Sequence, residues 1–197
     1  MTIVLLRHGE TALNAARIVQ PADTPLSERG LAQAGRVAPR IAAMTPAALL
    51  SSDLPRAWQT AQAVAAATGL PIEPLPLLHE RNFGDLRGRP HAELGFNLSQ
   101  LDDAPPNGES AATFAERVAR AWQVIVARRA QLGGPLIVVT HGLVVHGLIR
   151  QLWPELAGAA APPGNTSVTV LDAAAPHTLL LAPCTAHLDD AAQSGIA

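Results

Sequence analysis

The chain has 197 residues, of which 48% are hydrophobic and 15% are charged, and its formal net charge is −2. This charge balance provides no broad basic surface, so we expect no nucleic-acid partner. None of the 14 basic residues is a lysine, which excludes a Schiff-base lysine and the lysine of a phosphate-binding P-loop. The single cysteine, Cys184, excludes an internal disulfide and a metal cluster built from several cysteines.

The length of the chain fits one domain, which we predict to span residues 1–197. No apolar run approaches the length of a bilayer span, and no basic region precedes the short apolar stretch near the N-terminus. We therefore expect a soluble cytoplasmic protein without a membrane partner. The sequence indicates no particular oligomeric state.

Five short segments have the composition of β-strands. The first three are almost purely apolar, which is typical of strands buried on both faces of a parallel sheet. In chain order, the predicted strands are Ile3–Leu6, Ala47–Leu50, Leu136–Val139, Thr166–Leu171 and Thr178–Ala182. Helical patterns lie between the early strands. This alternation predicts an α/β fold, a three-layer sandwich with a mostly parallel central sheet flanked by helices.

Three amphipathic patterns predict the main helices. Their predicted buried faces are Leu31, Ala34, Ala38 and Ile41; then Trp58, Ala61 and Ala65; then Phe114, Val118, Ala121, Trp122 and Ile125. The predicted N-terminal caps are Ser27, then Ser52 or Asp53, then a capping box of Thr113 with Glu116. Pro39 falls inside the first helix and removes a hydrogen bond, so we expect a kink or an early stop there.

The segment from about residue 77 to residue 110 has poor periodicity and mixes Pro, Gly, Asp and Asn with scattered apolar residues. In a compact domain, an irregular segment of this length is typical of an active-site cover or a binding loop. We therefore predict that it covers a functional site.

Polar residues follow each of the three apolar strands. Arg7 and His8 follow the first, Arg56 follows the second, and His141 follows the third. Ligands of open parallel sheets bind outside the carboxyl ends of the strands, so we expect these four side chains to meet at one edge. Two arginines and two histidines would form a cationic pocket suited to a phosphate group. A glycine follows each histidine, and we expect both glycines to allow close approach of the backbone to a ligand.

These residues belong to longer motifs that resemble those of the histidine phosphatase superfamily, which includes the phosphoglycerate mutases. The run Arg7-His8-Gly9-Glu10-Thr11, followed by Asn14, is similar to the signature of that family. Further similar segments follow in family order at residues 23–27, 51–61, 80–85, 107–110 and 139–142. The resemblance covers about residues 2–182, and such a series of motifs is far more specific than one Arg-His-Gly alone.

The resemblance implies a phosphatase that hydrolyses a small phosphorylated metabolite without a metal or a cofactor. It implies that His8 is the nucleophile that becomes a phosphohistidine, with Arg7, Arg56 and His141 stabilising the charge that develops on the phosphoryl oxygens. It implies that Glu80 protonates the leaving group and then activates water. The residues implied to bind the substrate are Arg7, Asn14, Arg56, Glu80, His141 and the amides of Gly142 and Leu143.

Several alternatives stay open at this stage. Asp85 and Glu93 lie in the same segment as Glu80 and are rival candidates for the acid. The main alternative within the family is a cofactor-dependent phosphoglycerate mutase. Only three arginines lie between Glu80 and Asn107, which favours a phosphatase. A non-catalytic phosphate-binding module is the alternative of another class, and a phosphatase of phosphohistidine proteins ranks lower. The spacing after Gln20 departs from the family pattern, so no contact of Gln20 with substrate is predicted.

Overall fold

The computed structural model describes residues 1–156, 163–174 and 177–189. The predicted single domain of residues 1–197 therefore extends over positions outside the described residues, and it stays a prediction. The described strands are β1 (Thr2–Arg7), β2 (Ala48–Ser51), β3 (Ile72–Pro74), β4 (Leu136–Thr140), β5 (Val168–Asp172) and β6 (Thr178–Cys184). The described α-helices are α1 (Ala12–Ala15), α2 (Glu28–Ala42), α3 (Pro55–Thr68), α4 (Ala111–Ala130) and α5 (Gly142–Leu152). In this part of the chain, no helix is long and apolar enough to cross a bilayer.

The six strands form one sheet in the order β3-β2-β4-β1-β5-β6. The first four strands of that order run parallel, whereas β5 pairs antiparallel with β1 and β6 pairs antiparallel with β5. A helix precedes each of β2, β3 and β4 in the chain, and β5 and β6 form an antiparallel pair at the far edge of the sheet. The mostly parallel sheet predicted from the sequence is therefore confirmed.

Separate apolar clusters cover the two faces of the sheet. Ile3 and Leu5 belong to the cluster that includes α4 and α5, whereas Val4 and Leu6 belong to the cluster that includes α2 and α3. Successive side chains of a strand point to opposite faces, so one apolar run supplies both clusters. Every residue of β4 is buried, as expected for a central strand with a helical layer on each side. The predicted three-layer sandwich is confirmed.

All five predicted strands exist, with ends that differ by at most two residues from the predicted bounds. β5 runs opposite to the early strands, whereas β6, which is antiparallel to β5, runs in the same direction as they do. The short strand β3 at the opposite edge was not predicted. Its three residues include Glu73 and Pro74, which are poor strand formers, and its alignment against β2 depends on the sheet rather than on local propensity.

Two helices begin at residues other than the predicted caps. The hydroxyl of Ser110 accepts a hydrogen bond from the amide of Thr113 at 3.0 Å, so α4 begins one turn before the predicted capping box of Thr113 with Glu116. The cap of α3 is Leu54, with Pro55 as first helical residue, and neither Ser52 nor Asp53 caps it. Proline suits that position because its fixed φ is helical and the missing N–H would have no acceptor within the helix.

Helix α2 differs from the prediction in two ways. Leu31 is 51% exposed, because it lies at the margin of the buried face rather than on it. The helix continues past Pro39 to Ala42, so the predicted early stop is wrong, while a kink stays a prediction. Pro39 cannot donate to the carbonyl of Gly35, but both residues are exposed, and that carbonyl can accept a hydrogen bond from water instead.

Candidate active site

The carboxyl ends of three parallel strands lie side by side and form one edge of the sheet. Arg7 at the end of β1 pairs with Thr140 at the end of β4, and Ser51 at the end of β2 pairs with Val139. A pocket of about 720 Å³ opens at this edge. Seven of the eight residues predicted to form the site line it: Arg7, His8, Asn14, Arg56, Glu80, Gly142 and Leu143. The eighth, His141, is fully buried behind them.

His8 is held in one orientation and in one tautomer. Its Nδ1 lies 2.6 Å from the carbonyl oxygen of Gly9, and because a carbonyl can only accept, Nδ1 carries the proton and Nε2 keeps its lone pair. Burial first, and then the charges of Arg56 and Arg7, hold the pKa of His8 well below its usual value of 6.5. The imidazole is therefore neutral at neutral pH, with Nε2 available as a nucleophile.

His141 is also neutral, which corrects the predicted charge of the pocket. Burial lowers its pKa well below 6.5, and the charge of Arg56 lowers it further. Its Nε2 lies 2.8 Å from the hydroxyl of Ser52, whereas its Nδ1 is buried and has no hydrogen-bond partner among the described residues. The rings of His8 and His141 lie 5.2 Å apart, centroid to centroid. The two histidines therefore add no positive charge to the free site, and the arginines supply it.

Arg56 and Arg7 each have an unused donor directed away from solvent. Arg56 is 2% exposed and donates from Nη1 to the carbonyls of Pro21 and Ala22, each at 3.3 Å. Burial lowers its pKa to about 10, so it stays charged at neutral pH. Arg7 donates to the carbonyl of Pro163. The Nε–H groups of both arginines are buried without a partner in the described structure, which is costly unless an acceptor such as a phosphate oxygen binds there.

Among the described residues, Glu80 is the only carboxylate that lines the pocket. Its Oε1 accepts from the amide of Arg81 at 3.0 Å, and its Oε2 accepts from the amide of Leu143 at 3.2 Å. Desolvation raises its pKa, against the opposing effect of these two amides and of the nearby arginines. A carboxyl group with a raised pKa is suited to donate a proton near neutral pH.

The two rival acids lie elsewhere. Asp85 is exposed and accepts a hydrogen bond from the side chain of Asn107 at 3.0 Å, and Glu93 is exposed. Neither lines the pocket. The amide of Leu143, which was predicted to contact phosphate, instead holds Glu80 in this structure. Gly142 lines the pocket as the first residue of α5, where an amide has no acceptor within its own helix.

The glycines that follow the two histidines each allow a close contact within the protein. A Cβ on Gly9 would lie 2.5 Å from the carbonyl oxygen of Gly30, so Gly9 allows close packing of two backbone segments. A Cβ on Gly142 would lie 3.3 Å from Nε of Arg7, so this glycine leaves room for the Arg7 side chain. Both glycines therefore serve the packing around the pocket, and their close approach to a ligand stays a prediction.

The sequence profile of the histidine phosphatase superfamily (branch 1) matches residues 3–182. This chain belongs to that superfamily. Glucosyl-3-phosphoglycerate phosphatase of Mycobacterium tuberculosis is 34% identical over 191 residues, covering 86% of this chain and 84% of that protein. Metal-independent phosphoserine phosphatase of Arabidopsis thaliana is 38% identical over 184 residues, covering 86% and 75%. A solved structure of mycobacterial glucosyl-3-phosphoglycerate phosphatase with VO3 has a TM-score of 0.80 at 30% identity, covering 91% of this chain and 97% of that chain.

Sequence reasoning missed the segment before β5, which holds the backbone of His8, the predicted nucleophile. The backbone carbonyl of His8 accepts from the amide of Thr166 and from the side chain of Asn165, both at 3.2 Å. Asn165 also lies 3.3 Å from the side-chain oxygen of Asn14. Because β5 runs antiparallel, its first residues reach the same edge as the last residues of β1. The contact could not be predicted because the sequence did not indicate that β5 runs antiparallel to β1.

Gln20, for which no contact was predicted, lines the pocket and accepts a hydrogen bond from the hydroxyl of Thr11 at 2.8 Å. Much of the remaining wall comes from the segment predicted as a cover. Its pocket-lining residues are Glu80, Arg81, Phe83, Arg87, His91, Asn97 and Leu98. Among the described residues, no group of three or more His, Cys, Asp or Glu side chains is arranged to hold a metal ion.

Proposed function

We propose that this protein hydrolyses small phosphomonoesters through a phosphohistidine on Nε2 of His8, with Glu80 as the general acid and base. The observation that carries the proposal is the neutral His8 ring, whose Nδ1 proton is held by Gly9 while Nε2 stays free beside the buried Arg56 and the partly buried Arg7. The similarity to two proteins named as phosphatases supports hydrolysis as the reaction.

In the first step, Nε2 of His8 attacks phosphorus, and the bond from phosphorus to the leaving oxygen breaks. The unused Nε–H groups of Arg7 and Arg56 and the Nδ1 of His141 are the donors for the phosphoryl oxygens. Protonated Glu80 gives its proton to the leaving oxygen. His8 then carries the phosphoryl group on Nε2 and its original proton on Nδ1, and the carbonyl of Gly9 stabilises the resulting positive charge.

In the second step, the carboxylate of Glu80 takes a proton from a water molecule. The hydroxide formed attacks phosphorus, and the bond from Nε2 of His8 to phosphorus breaks. Inorganic phosphate leaves, His8 is neutral again, and Glu80 is protonated for the next cycle. One carboxyl group serves both half-reactions because burial raises its pKa and no tight ion pair holds it low.

The location of the pocket residues also separates the alternatives. A non-catalytic phosphate-binding module needs neither a nucleophile nor an acid, whereas here His8 and Glu80 line the same pocket. A mutase transfers the phosphoryl group from the histidine to another hydroxyl. Water must therefore be kept away from the phosphohistidine until that transfer has occurred. We favour hydrolysis because the pocket is open and about 720 Å³ in volume. From the balanced charge of the chain, we further propose a cytoplasmic reaction without a nucleic-acid or membrane partner.

The test is the release of inorganic phosphate by the purified protein from p-nitrophenyl phosphate and from a panel of phosphorylated metabolites. We expect steady release by the wild type and none by His8→Ala. His141→Ala is the contrasting variant, since it removes only a hydrogen-bond donor and slows the reaction. Interconversion of phosphoglycerates without phosphate release would show a mutase, and phosphate binding without turnover would show a binding module. Either result contradicts the proposal.

A further inference from the structure

The pocket has room and charge for more than one phosphate group. Its lining includes one carboxylate, Glu80, and five arginines: Arg7, Arg17, Arg56, Arg81 and Arg87. Arg7 and Arg56 are assigned above to the transferred phosphoryl group. Arg81 is held by the backbone carbonyl of Glu109 and packs on the ring of Phe83. Two arginines of the wall therefore have no role in the proposed reaction.

Among the described residues, neither Arg17, which is exposed, nor Arg87 has a partner for its charge. Within the described residues, no hydrogen bond or ion pair involves either guanidinium, whereas Arg117 and Arg128 each hold a carboxylate through two nitrogens. Arg87 is half-buried and close enough to Arg56 for its charge to lower the pKa of Arg56. Like charges in one pocket repel, and a bound anion between or beside them relieves that repulsion.

The backbone holds Arg17 and Arg87 in one wall. Ile18 and Pro90 form a β-bridge, the amide of His91 donates to the carbonyl of Arg17 at 2.9 Å, and the amide of Gly88 donates to the carbonyl of Val19 at 2.7 Å. Arg17 itself has a φ of 56°, in the left-handed region that a bulky residue seldom adopts. These bonds fix the two cation-bearing segments next to each other before any ligand binds.

We infer that Arg87 and Arg17 bind a second anionic group, a carboxylate or a phosphate, on the molecule whose phosphoryl group is transferred to His8. The inference rests on the proposed function and adds the substrate class: small phosphomonoesters that carry a second negative charge away from the ester. Guanidinium groups bind both carboxylate and phosphate through paired N–H donors, so the geometry of the wall suits either anion.

The test uses substrates that share one scaffold and differ only in the second group. Phenyl phosphate has none, para-carboxyphenyl phosphate has a carboxylate, and para-phosphonophenyl phosphate has a phosphonate in place of a second phosphate. The measured quantity is kcat/KM for each anionic substrate divided by kcat/KM for phenyl phosphate. Differences in leaving-group reactivity cancel when this ratio is compared between enzyme variants.

We expect Arg87→Leu to lower the ratio by about 10- to 100-fold, as loss of a charge-assisted hydrogen bond predicts. Arg17→Leu lowers it in the same direction, and Arg87→Lys, which keeps the charge but loses the planar fork, gives an intermediate value. Arg89→Leu is the matched control. Arg89 is an exposed arginine two residues away that donates to the carbonyl of Glu93 and lies outside the pocket lining, so its removal leaves the ratio unchanged.

An equal loss for phenyl phosphate and both anionic substrates in Arg87→Leu would overturn the inference, because Arg87 would then serve the transferred phosphate. An unchanged ratio in both leucine variants would overturn it as well. A lowered ratio for only one anionic substrate supports the inference and identifies which anion is bound.

A binding arm separates this inference from the proposed function. Calorimetric affinities of the same three compounds are measured for His8→Ala, with and without Arg87→Leu. If the wild type turns over none of the substrates, the proposed function fails. A preference of His8→Ala for the anionic compounds that disappears with Arg87→Leu still establishes the subsite. Equal affinities of His8→Ala for all three compounds refute it.

Discussion

Replacement of Glu80 by Gln removes a proton donor from the pocket while keeping the shape of the side chain. Glu80 accepts two backbone hydrogen bonds, from Arg81 at 3.0 Å and from Leu143 at 3.2 Å. A glutamine has one side-chain oxygen, so one of these amides loses its acceptor. That loss costs about 1–3 kcal/mol of folding stability, which a thermal melt measures separately from catalysis.

The catalytic effect depends on the leaving group. An alkyl alcohol is a poor leaving group that needs protonation, so we expect phosphorylation of His8 by an alkyl phosphate to slow by about 10²- to 10⁴-fold in Glu80→Gln. p-Nitrophenol leaves without protonation, so phosphorylation by p-nitrophenyl phosphate changes little. Hydrolysis of the phosphohistidine then slows, because the same carboxylate activates water. A rapid burst of p-nitrophenol followed by a slow steady state is the expected trace.

Stopped-flow absorbance measures the burst, and quenched-flow phosphate release measures the alkyl substrate. The matched control is Asp85→Asn, because Asp85 is an exposed carboxylate of the same segment that contacts Asn107 and lies outside the pocket lining. We expect it to retain wild-type rates with both substrates. Equal slowing of both substrates in Glu80→Gln would refute the assignment of Glu80 as the leaving-group acid, and slowing in Asp85→Asn would point to Asp85 instead.

Three other predictions follow from the structure. Activity survives exhaustive treatment with EDTA, because charged arginines bind the phosphate; loss of turnover that a divalent ion restores would contradict this. The rate with alkyl phosphates falls as pH rises through the raised pKa of Glu80, because the acid must be protonated, and a pH profile of Glu80→Gln that keeps this limb would argue against it. Gly30→Ala lowers the melting temperature strongly, since its Cβ would lie 1.9 Å from the carbonyl oxygen of Glu10. Gly35→Ala, at an exposed position of the same helix with nothing within 4 Å, instead stabilises the protein by about 0.5–1 kcal/mol. Equal melting temperatures of the two variants would contradict this packing argument.

The parallel half of the fold is predictable because its strands are buried on both faces. β1 and β4 are apolar along nearly their whole length, and such runs have few alternatives in a chain of this size. The direction of β5 and β6 is not encoded in the same way. Both carry enough apolar residues to join a sheet, but their antiparallel pairing depends on the edge that is left open by the order of the other strands.

Helix ends were harder to predict than helix faces. Ser110 precedes Thr113 by three residues and Thr113 precedes Glu116 by three, so two overlapping cap patterns compete in the sequence. In the structure, the hydroxyl of Ser110 bonds to the amide of Thr113, and the helix begins at the earlier of the two. Local chemistry alone does not show whether Ser110 or Thr113 caps the helix, because the position of the cap depends on how the preceding segment packs.

The positions of the predicted site residues could be derived from the sequence, whereas their charge states could not. The rule that ligands bind at the carboxyl ends of parallel strands brings Arg7, Arg56 and the two histidines together. The low pKa values of His8 and His141 arise from complete burial beside those arginines, which only the folded structure specifies. For the same reason, only the structure shows that Arg17 and Arg87 have no charge partner among the described residues.

The central claim is that Nε2 of His8 carries the phosphoryl group during turnover, and direct trapping tests it. The enzyme is mixed with p-nitrophenyl phosphate, denatured in alkali within one turnover, and digested for mass spectrometry, with Glu80→Gln used to prolong the life of the intermediate. The account predicts one acid-labile, alkali-stable phosphate per chain on His8, and none in His8→Ala. A phosphate on another residue, or full turnover without any phosphorylated protein, would contradict it.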